Sequence, residues 1–359
     1  MTYDIAIVGA GIAGASLAAA IGGDARVLLL EAEDQPGYHA TGRSAAFWSE
    51  TYGGPGIQPL TSASEAGLRA HDALSPLGSV HIGRAEDEAA IAAFLAEFAD
   101  TSVALQAVDP AAHIPGLRRD WTLGVLEPSC AYIDVAALHG AYLGRVRRTG
   151  GTIVTRAGLT GASRSGGVWT IGTAAGRYRA RVLVDAAGAW ADAVAARAGA
   201  RPLGIAPYRR TMVQLRTDPA APLAMPHVAD IAGRFYFKPE AGGKLWLSPH
   251  DETPVNPCDV APEDLDVAIA IDRFEGVVDW RIAAVERRWA GLRSFAPDRL
   301  PVYGFDAHVP GFFWCAGQGG FGIQTAPAAA ALAASLLLER GLPDWLRGVD
   351  AARYAATRF

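Results

Sequence analysis

Asp4-Ile5-Ala6-Ile7-Val8-Gly9-Ala10-Gly11-Ile12-Ala13-Gly14 lies near the amino terminus. The apolar run Asp4 to Val8 predicts a short buried strand, and the small residues Ala15 to Ile21 predict a helix, with a glycine turn between them. In such a turn Gly9 permits the bend, Gly11 lets a pyrophosphate approach the backbone, and Gly14 lets the helix pack on the sheet. The helix amino terminus then faces the phosphate. A second strand, Arg26 to Leu30, ends in Glu31, twenty positions after Gly11, where a carboxylate binds a ribose diol. Together these segments make a dinucleotide-binding unit, and by themselves they leave open which dinucleotide it takes.

A second glycine pattern, Gly317-Gln-Gly319-Gly320-Phe-Gly322, follows the predicted strand Gly311 to Ala316 and precedes a predicted helix, Ile323 to Leu338. No strand with a terminal acid comes after it, because Gly341 to Phe359 is a short proline-bearing tail. A second nucleotide unit is therefore excluded. The segment reads instead as a loop opening onto the same crevice, with a helix amino terminus able to stabilise negative charge. One nucleotide site implies that substrate and cofactor exchange electrons directly. That favours a flavin, although a nicotinamide dehydrogenase stays open on these residues.

Outward from these motifs, 359 residues suit two domains, and a chain that is half hydrophobic with 41 glycines reads as a globular α/β protein. The net charge is -5 and the basic residues form no run, which excludes a nucleic-acid footprint and favours a small-molecule partner. Cys130, Cys258 and Cys315 have no metal-ligand spacing, so no metal is expected, and a reducing cytoplasm is the expected compartment. The apolar stretch from Ile5 to Gly22 lacks a basic lead-in and is broken by glycines, so no integral membrane segment is expected.

Periodicity predicts helices over 61–73, 85–98 and 135–146, and strands over 168–171, 178–180 and 182–184. The last strand runs into Asp185-Ala-Ala-Gly188-Ala-Trp190, another strand-to-helix junction of the kind where crevices form. Between Pro207 and Phe295 the pattern turns to strands, at 208–215, 235–238 and 245–248, and predicts an antiparallel sheet.

These segments resemble the D-amino acid oxidase superfamily over nearly the whole chain, and most of all its bacterial D-arginine dehydrogenase branch. The likeness rests on Gly9-Ala-Gly-Ile-Ala-Gly14-Ala-Ser16, Gln35-Pro-Gly-Tyr-His-Ala-Thr-Gly-Arg43-Ser44-Ala45-Ala46, Asp185-Ala-Ala-Gly-Ala-Trp190, Trp289-Ala-Gly-Leu-Arg293-Ser-Phe295 and Gln318-Gly-Gly-Phe-Gly-Ile-Gln324-Thr325. It implies an FAD-binding Rossmann-like domain of the glutathione-reductase type, from residues 1–77, 138–206 and 296–359. A second, antiparallel-sheet substrate domain would comprise residues 78–137 and 207–295.

The resemblance also implies noncovalent FAD. Gly9, Gly11, Ala13 and Gly14 would lie at the pyrophosphate, Glu31 on the adenosine ribose, and Arg43, Ser44, Ala45 and Ala46 beside the pyrophosphate and flavin. Ala157 and Gly188 would complete the groove, while Gly319, Gly320, Gly322, Ile323, Gln324 and Thr325 would border the ring. Arg210 and Arg293 would grip a substrate carboxylate, a task suited to the planar guanidinium. Tyr52, Tyr236 and Gly320 would line the substrate. The implied reaction is oxidative deamination of a D-amino acid by hydride transfer to flavin N5, giving a 2-oxo acid and ammonia, with an unknown electron acceptor.

The chain departs from the arginine-specific branch at two places. Ser79 stands where that branch has a glutamate, and Phe47 where it has a histidine. Burying a cationic side chain without a carboxylate would leave a charge uncompensated. Together with His227 and Ala229, these substitutions favour a neutral, apolar or aromatic substrate, with Glu50 the one acid in the same loop. Where the sarcosine-oxidase branch carries a lysine that promotes reaction with oxygen, this chain has Trp246, with Lys244 nearby, which favours a dehydrogenase. Alternatives are a glycine- or sarcosine-type amine oxidase, a 2-hydroxy acid dehydrogenase, and a flavoprotein without turnover.

Overall fold

Ile5 and Ile7 point to one face of the first strand, Tyr3–Val8, and Ala6 and Val8 to the other; both faces are buried. A strand covered on both sides needs apolar residues at every position, which is why this run shows no alternation. The computed structural model describes residues 1–359. In it, Tyr3–Val8 lies between Val27–Leu30 and Gly176–Asp185, parallel to both. Thr152–Val154 extends the parallel row on one side and Phe312–Ala316 on the other. The antiparallel strands Leu159–Ser165, Val168–Thr173 and Val302–Phe305 complete an eight-stranded sheet.

Helices Ile12–Ile21, Val135–Arg148 and Ala326–Leu337 pack against the Ile5 and Ile7 face. Helix Ala191–Arg197 packs on the opposite face. The predicted strands 178–180 and 182–184 are one continuous strand, since Gly176–Asp185 pairs antiparallel through its first half and parallel through its second. The helix predicted from Ile323 begins at Ala326. Residues 320–325 form turns, with Thr325 N–H bonded to Phe321 O, so the helix amino terminus lies three residues further along than expected.

The second sheet has ten strands. Its spine is the long pairing of Ala206–Asp218 with Arg281–Phe295. On one face Val213, Leu215, Phe237 and Leu247 pack against helix Asp264–Glu275 through Phe274. The alternate residues Arg210, Met212 and Tyr236 point to the other face, towards the first sheet. The expectation of a purely antiparallel sheet fails at one pair, because Ser79–Arg84 runs parallel to His227–Asp230. A third sheet of three short strands, Phe47–Trp48, Leu74–Pro76 and Ala131–Ile133, bridges segments that the sequence assigns to different domains. No helix is long and apolar enough to cross a membrane.

The loop from Phe47 to Tyr52 is held by a carboxylate with no exposed surface. Glu127 accepts hydrogen bonds from Ser49 Oγ at 2.8 Å, Thr51 Oγ1 at 2.7 Å and Glu50 N–H at 2.7 Å, and His81 Nε2 stands 3.8 Å away. Burial alone would raise its pKa, but these donors together hold it below the usual glutamate value. A carboxyl whose pKa is depressed on folding stabilises the fold above its unfolded pKa, and that contribution is lost as the pH falls through the folded pKa. Glu127→Gln should therefore lower stability by about 1–3 kcal/mol at neutral pH. In thermal melts the gap to the parent protein should close between about pH 5 and pH 3; a gap that does not change with pH would refute the assignment.

Candidate cofactor and substrate site

A cavity of about 460 Å³ runs between the two large sheets, from Glu31 at one end to Arg210 and Arg293 at the other. At the first end Gly9 has φ +102°, and a Cβ there would run into the Ala186 carbonyl. Its N–H bonds to Leu30 O at 2.7 Å. Gly11 is the N-cap of helix Ile12–Ile21 and provides no side chain to cap it. Thr41 Oγ1 accepts from Ile12 N–H at 3.0 Å, a partner 29 positions away that no local pattern signals. The remaining amides of the first turn have no intrahelical acceptor and form an anion site beside Ala13.

Both backbone polar groups of Ala10 are held. Glu31 Oε2 accepts its N–H at 3.0 Å, and His139 Nε2 lies 2.8 Å from its carbonyl oxygen. In a trans peptide the next N–H points opposite the carbonyl. His139 thus turns the Gly11 N–H away from itself, and Gly11 lines the cavity. Glu31 also accepts from Glu33 N–H at 3.0 Å through Oε1, so each oxygen keeps a second lone pair suited to a ribose diol.

Ala157, Ser44, Ala45, Gly188, Gly319, Gly320, Gly322 and Ile323 line the same cavity. At Gly188, φ is +54° and a Cβ would meet open space. Five expected cofactor residues behave differently. Gly14 does not reach the cavity; a Cβ there would collide with the Gly9 carbonyl, so its role is packing. Ala46 turns away, its carbonyl accepting from Ile133 N–H at 3.1 Å. Gln324 lies behind the wall, where its Nε2 donates to Tyr52 O at 3.0 Å and Thr61 Oγ1 at 2.9 Å. Thr325 Oγ1 donates to Phe321 O at 2.8 Å, also outside the cavity. Arg43 lines the cavity, but its guanidinium donates to Val260 O at 3.0 Å, pairs with Asp259 and lies over the Tyr38 ring. Its charge serves the contact with the segment at Asp259 and Val260.

A carboxylate at one end, a free helix amino terminus, a glycine-lined middle and a wider end fit the ribose, pyrophosphate and ring of a flavin dinucleotide in that order.

At the wide end Arg210 is 3% exposed. Its Nε donates to Asp251 O at 2.7 Å and its Nη2 lies 3.4 Å from Glu252 Oε1, a carboxylate shared with Arg299. Its Nη1 has no partner. The neighbouring Arg209 faces the other side of the strand, where Asp266 and Glu263 neutralise it. Arg293 Nη2 donates to Tyr236 Oη at 3.4 Å, the guanidinium lies 5.6 Å from the Tyr52 ring centre, and no carboxylate pairs with it within 4.0 Å. A Cβ on Gly320 would collide with the Tyr52 hydroxyl and stand 3.2 Å from the Arg293 guanidinium, so both groups close on this glycine.

Burial and the adjacent Arg293 charge push the Arg210 pKa down. Burial raises that of Tyr52, which stays a phenol. His250 is pushed down to about 3, first by burial and then by Arg210 and Arg293, so it is uncharged at neutral pH. A buried and a half-buried guanidinium that both line the cavity, the first with an unpartnered nitrogen, form an anion acceptor. Met212, on the Arg210 face of its strand, lines the cavity beside Tyr236; the spacing of two from Arg210 was the signal that would have found it.

Phe47 packs 5.3 Å from Tyr52, 5.9 Å from Tyr236 and 4.5 Å from His227, measured between ring centres. Ser79 is buried with its hydroxyl 2.9 Å from His227 Nδ1. Glu50 accepts from Ser129 at 2.9 Å and from Ser62, and does not line the cavity. Trp246 packs on Trp289 and Lys244 pairs with Glu286 at 2.9 Å; no lysine lines the cavity.

Similarity to known proteins agrees with this geometry. Over 249 residues the chain is 28% identical to hydrogen cyanide synthase subunit HcnC of Pseudomonas aeruginosa, covering 66% of this chain and 55% of that protein. It is 28% identical over 236 residues to the bifunctional protein ThiO/ThiG of a Nostoc species, covering 63% of this chain and 34% of that one. The chain thus spans about half, or less, of the length of the curated relatives it matches. Among solved structures it superposes on glycine oxidase from Geobacillus kaustophilus with a TM-score of 0.86 at 22% identity, covering 100% of this chain and 99% of the other. On L-proline dehydrogenase from P. horikoshii the TM-score is 0.84 at 18% identity, covering 98% of each chain. At these identities the superpositions speak for the fold. The family model described as DAO, FAD dependent oxidoreductase, matches residues 4–336, and the chain belongs to that family, with FAD as its cofactor.

Proposed function

We propose that this oxidoreductase oxidises the Cα–N bond of a D-amino acid with a neutral side chain, giving a 2-oxo acid and ammonia once the imino acid is hydrolysed. The observation that carries the reading is the convergence of Arg210 and Arg293 on one end of the cavity, with Arg210 Nη1 unpartnered and no carboxylate neutralising Arg293. A substrate carboxylate supplies the missing acceptor and relieves the repulsion between the two cations.

Bound FAD supplies a two-electron acceptor. The protein's contribution is position: two guanidinium groups fix the carboxylate, while Tyr236 lines the cavity beside Arg293 and Tyr52, behind the lining, closes its hydroxyl on Gly320. Tyr236, 4% exposed, and Met212 exclude water from that end. Tyr52 stays a phenol at neutral pH, so the proton lost from the substrate amine leaves through solvent or the substrate's own equilibrium.

A cationic side chain, as in the D-arginine branch, finds no carboxylate here. Ser79 is neutral and bonded to His227, and Glu50 is held by Ser62 and Ser129 outside the cavity. The neighbours named as acting on glycine or L-proline share the fold, and the clamp reads only the carboxylate, so those substrates belong in the test. We assign reoxidation to an acceptor other than oxygen, on the support that no lysine lines the cavity.

Anaerobic mixing of the FAD-loaded protein with candidate substrates checks the reading through flavin absorbance. Neutral D-amino acids should bleach it, whereas D-arginine, L-amino acids, glycine, sarcosine and 2-hydroxy acids should do so at least ~100-fold more slowly. Faster bleaching by any of the latter would replace the proposal with that activity. Arg293→Ala should raise the half-saturating substrate concentration about 10- to 100-fold, the loss of one charged hydrogen-bonding partner. An unchanged value would remove Arg293 from the clamp. Oxygen uptake during turnover should be slow, and rapid uptake would refute the acceptor assignment.

A further inference from the structure

We propose that Ser79 and His227 form a side-chain subsite that takes a neutral hydrogen-bonding group, a hydroxyl or amide, at the far end of the substrate. The inference rests on the amino-acid reading above and replaces the apolar or aromatic side chain expected from the sequence with a neutral, polar one.

The two residues lie opposite each other on parallel strands, in register. Ser79 Oγ is 2.9 Å from His227 Nδ1, and both side chains are buried. The other ring nitrogen, His227 Nε2, has no partner. A buried polar atom left unpaired is destabilising, and a ligand that reaches it recovers this loss. The imidazole is next to the substrate end. Its ring centre is 5.6 Å from that of Tyr236, which lines the cavity and whose hydroxyl is 3.4 Å from Arg293. Phe47, only half buried, covers the ring at 4.5 Å. Ser79, His227 and Phe47 stand behind the cavity lining, so a side chain reaches Nε2 only by extending from the carboxylate clamp past Tyr236 and turning Phe47 aside.

The chemistry of the pair sets the ligand class. The serine hydroxyl can donate to Nδ1 or accept from it, so Nε2 can present either an N–H or a lone pair. A hydroxyl or a carboxamide suits either tautomer. Burial, reinforced by the nearby Lys238, keeps His227 uncharged. A neutral imidazole offers an ammonium or guanidinium no compensating charge. A methyl or phenyl terminus would fill the space and leave Nε2 unpaired. A histidine with a purely structural role predicts no such discrimination.

The test compares matched pairs, D-asparagine with D-leucine and D-tyrosine with D-phenylalanine, through the half-saturating concentration for anaerobic flavin reduction. In the parent protein the polar member of at least one pair should saturate about 10-fold lower or better. His227→Phe should abolish that preference by weakening the polar member about 10- to 100-fold, while the apolar member shifts less than about threefold. Ser79→Ala should act in the same direction, and His227→Gln, which keeps a donor and an acceptor, should restore part of the preference.

No preference in the parent, or a preference that survives in both His227→Phe and Ser79→Ala, overturns the subsite. Flavin absorbance and retained FAD show whether each variant is folded; if His227→Phe is not, Ser79→Ala and His227→Gln decide. If no D-amino acid reduces the flavin, the amino-acid reading fails on its own. The subsite is then judged by flavin absorbance shifts on binding 4-hydroxyphenylacetate and phenylacetate, where a preference for the hydroxylated probe that His227→Phe removes supports it, and equal binding overturns it.

Discussion

The two-residue pairing of Gln318–Gly319 with Ser294–Phe295 stitches the two sheets together at the site. It fixes the turn that carries Gly320 against the strand that carries Arg293. Gly319 sits at φ +54°, and a Cβ there would run into the Phe295 ring. Only glycine allows this close approach. If the pairing were lost, the glycine loop and the arginine clamp would move independently, and the cavity between them would have no fixed width.

The clamp itself is a consequence of sheet register. Pairing Tyr208 with Arg293 and Arg210 with Gly291 sends both guanidinium groups to the same face of adjacent antiparallel strands. Arg209, one residue away, points to the opposite face and is neutralised by Asp266 and Glu263. Two neighbouring arginines in sequence therefore differ completely in role, because side chains alternate along a strand. The pair, in which Arg210 has Glu252 beside it and Arg293 has no carboxylate, is maintained by the packing around it, including the Glu127 network that holds the Phe47 to Tyr52 loop.

Legibility in the sequence followed distance along the chain. Strand, turn, helix and Glu31 are contiguous, and each residue's requirement is local, so the nucleotide unit could be read from about thirty positions. Helix Val135–Arg148 was legible from its periodicity, but the part its His139 plays, orienting the Ala10 carbonyl 129 positions away, carried no local signal. The parallel pairing of Ser79–Arg84 with His227–Asp230 was hidden for the same reason. The late start of helix Ala326–Leu337 is a boundary effect, in which the turn bonds at Phe321 to Thr325 replace a first helical turn.

The sequence by itself determined a single dinucleotide site, its location at the amino-terminal strand, and the family, since these depend on short contiguous motifs whose glycines have backbone reasons. Only the tertiary structure decided what the charged and polar side chains do. Arg43 gives its charge to Asp259, Glu50 gives its own to serines, and Ser79 joins His227 across 148 positions. A side chain's chemistry is set by its partners, and partners brought together by sheet pairing leave no trace in local spacing.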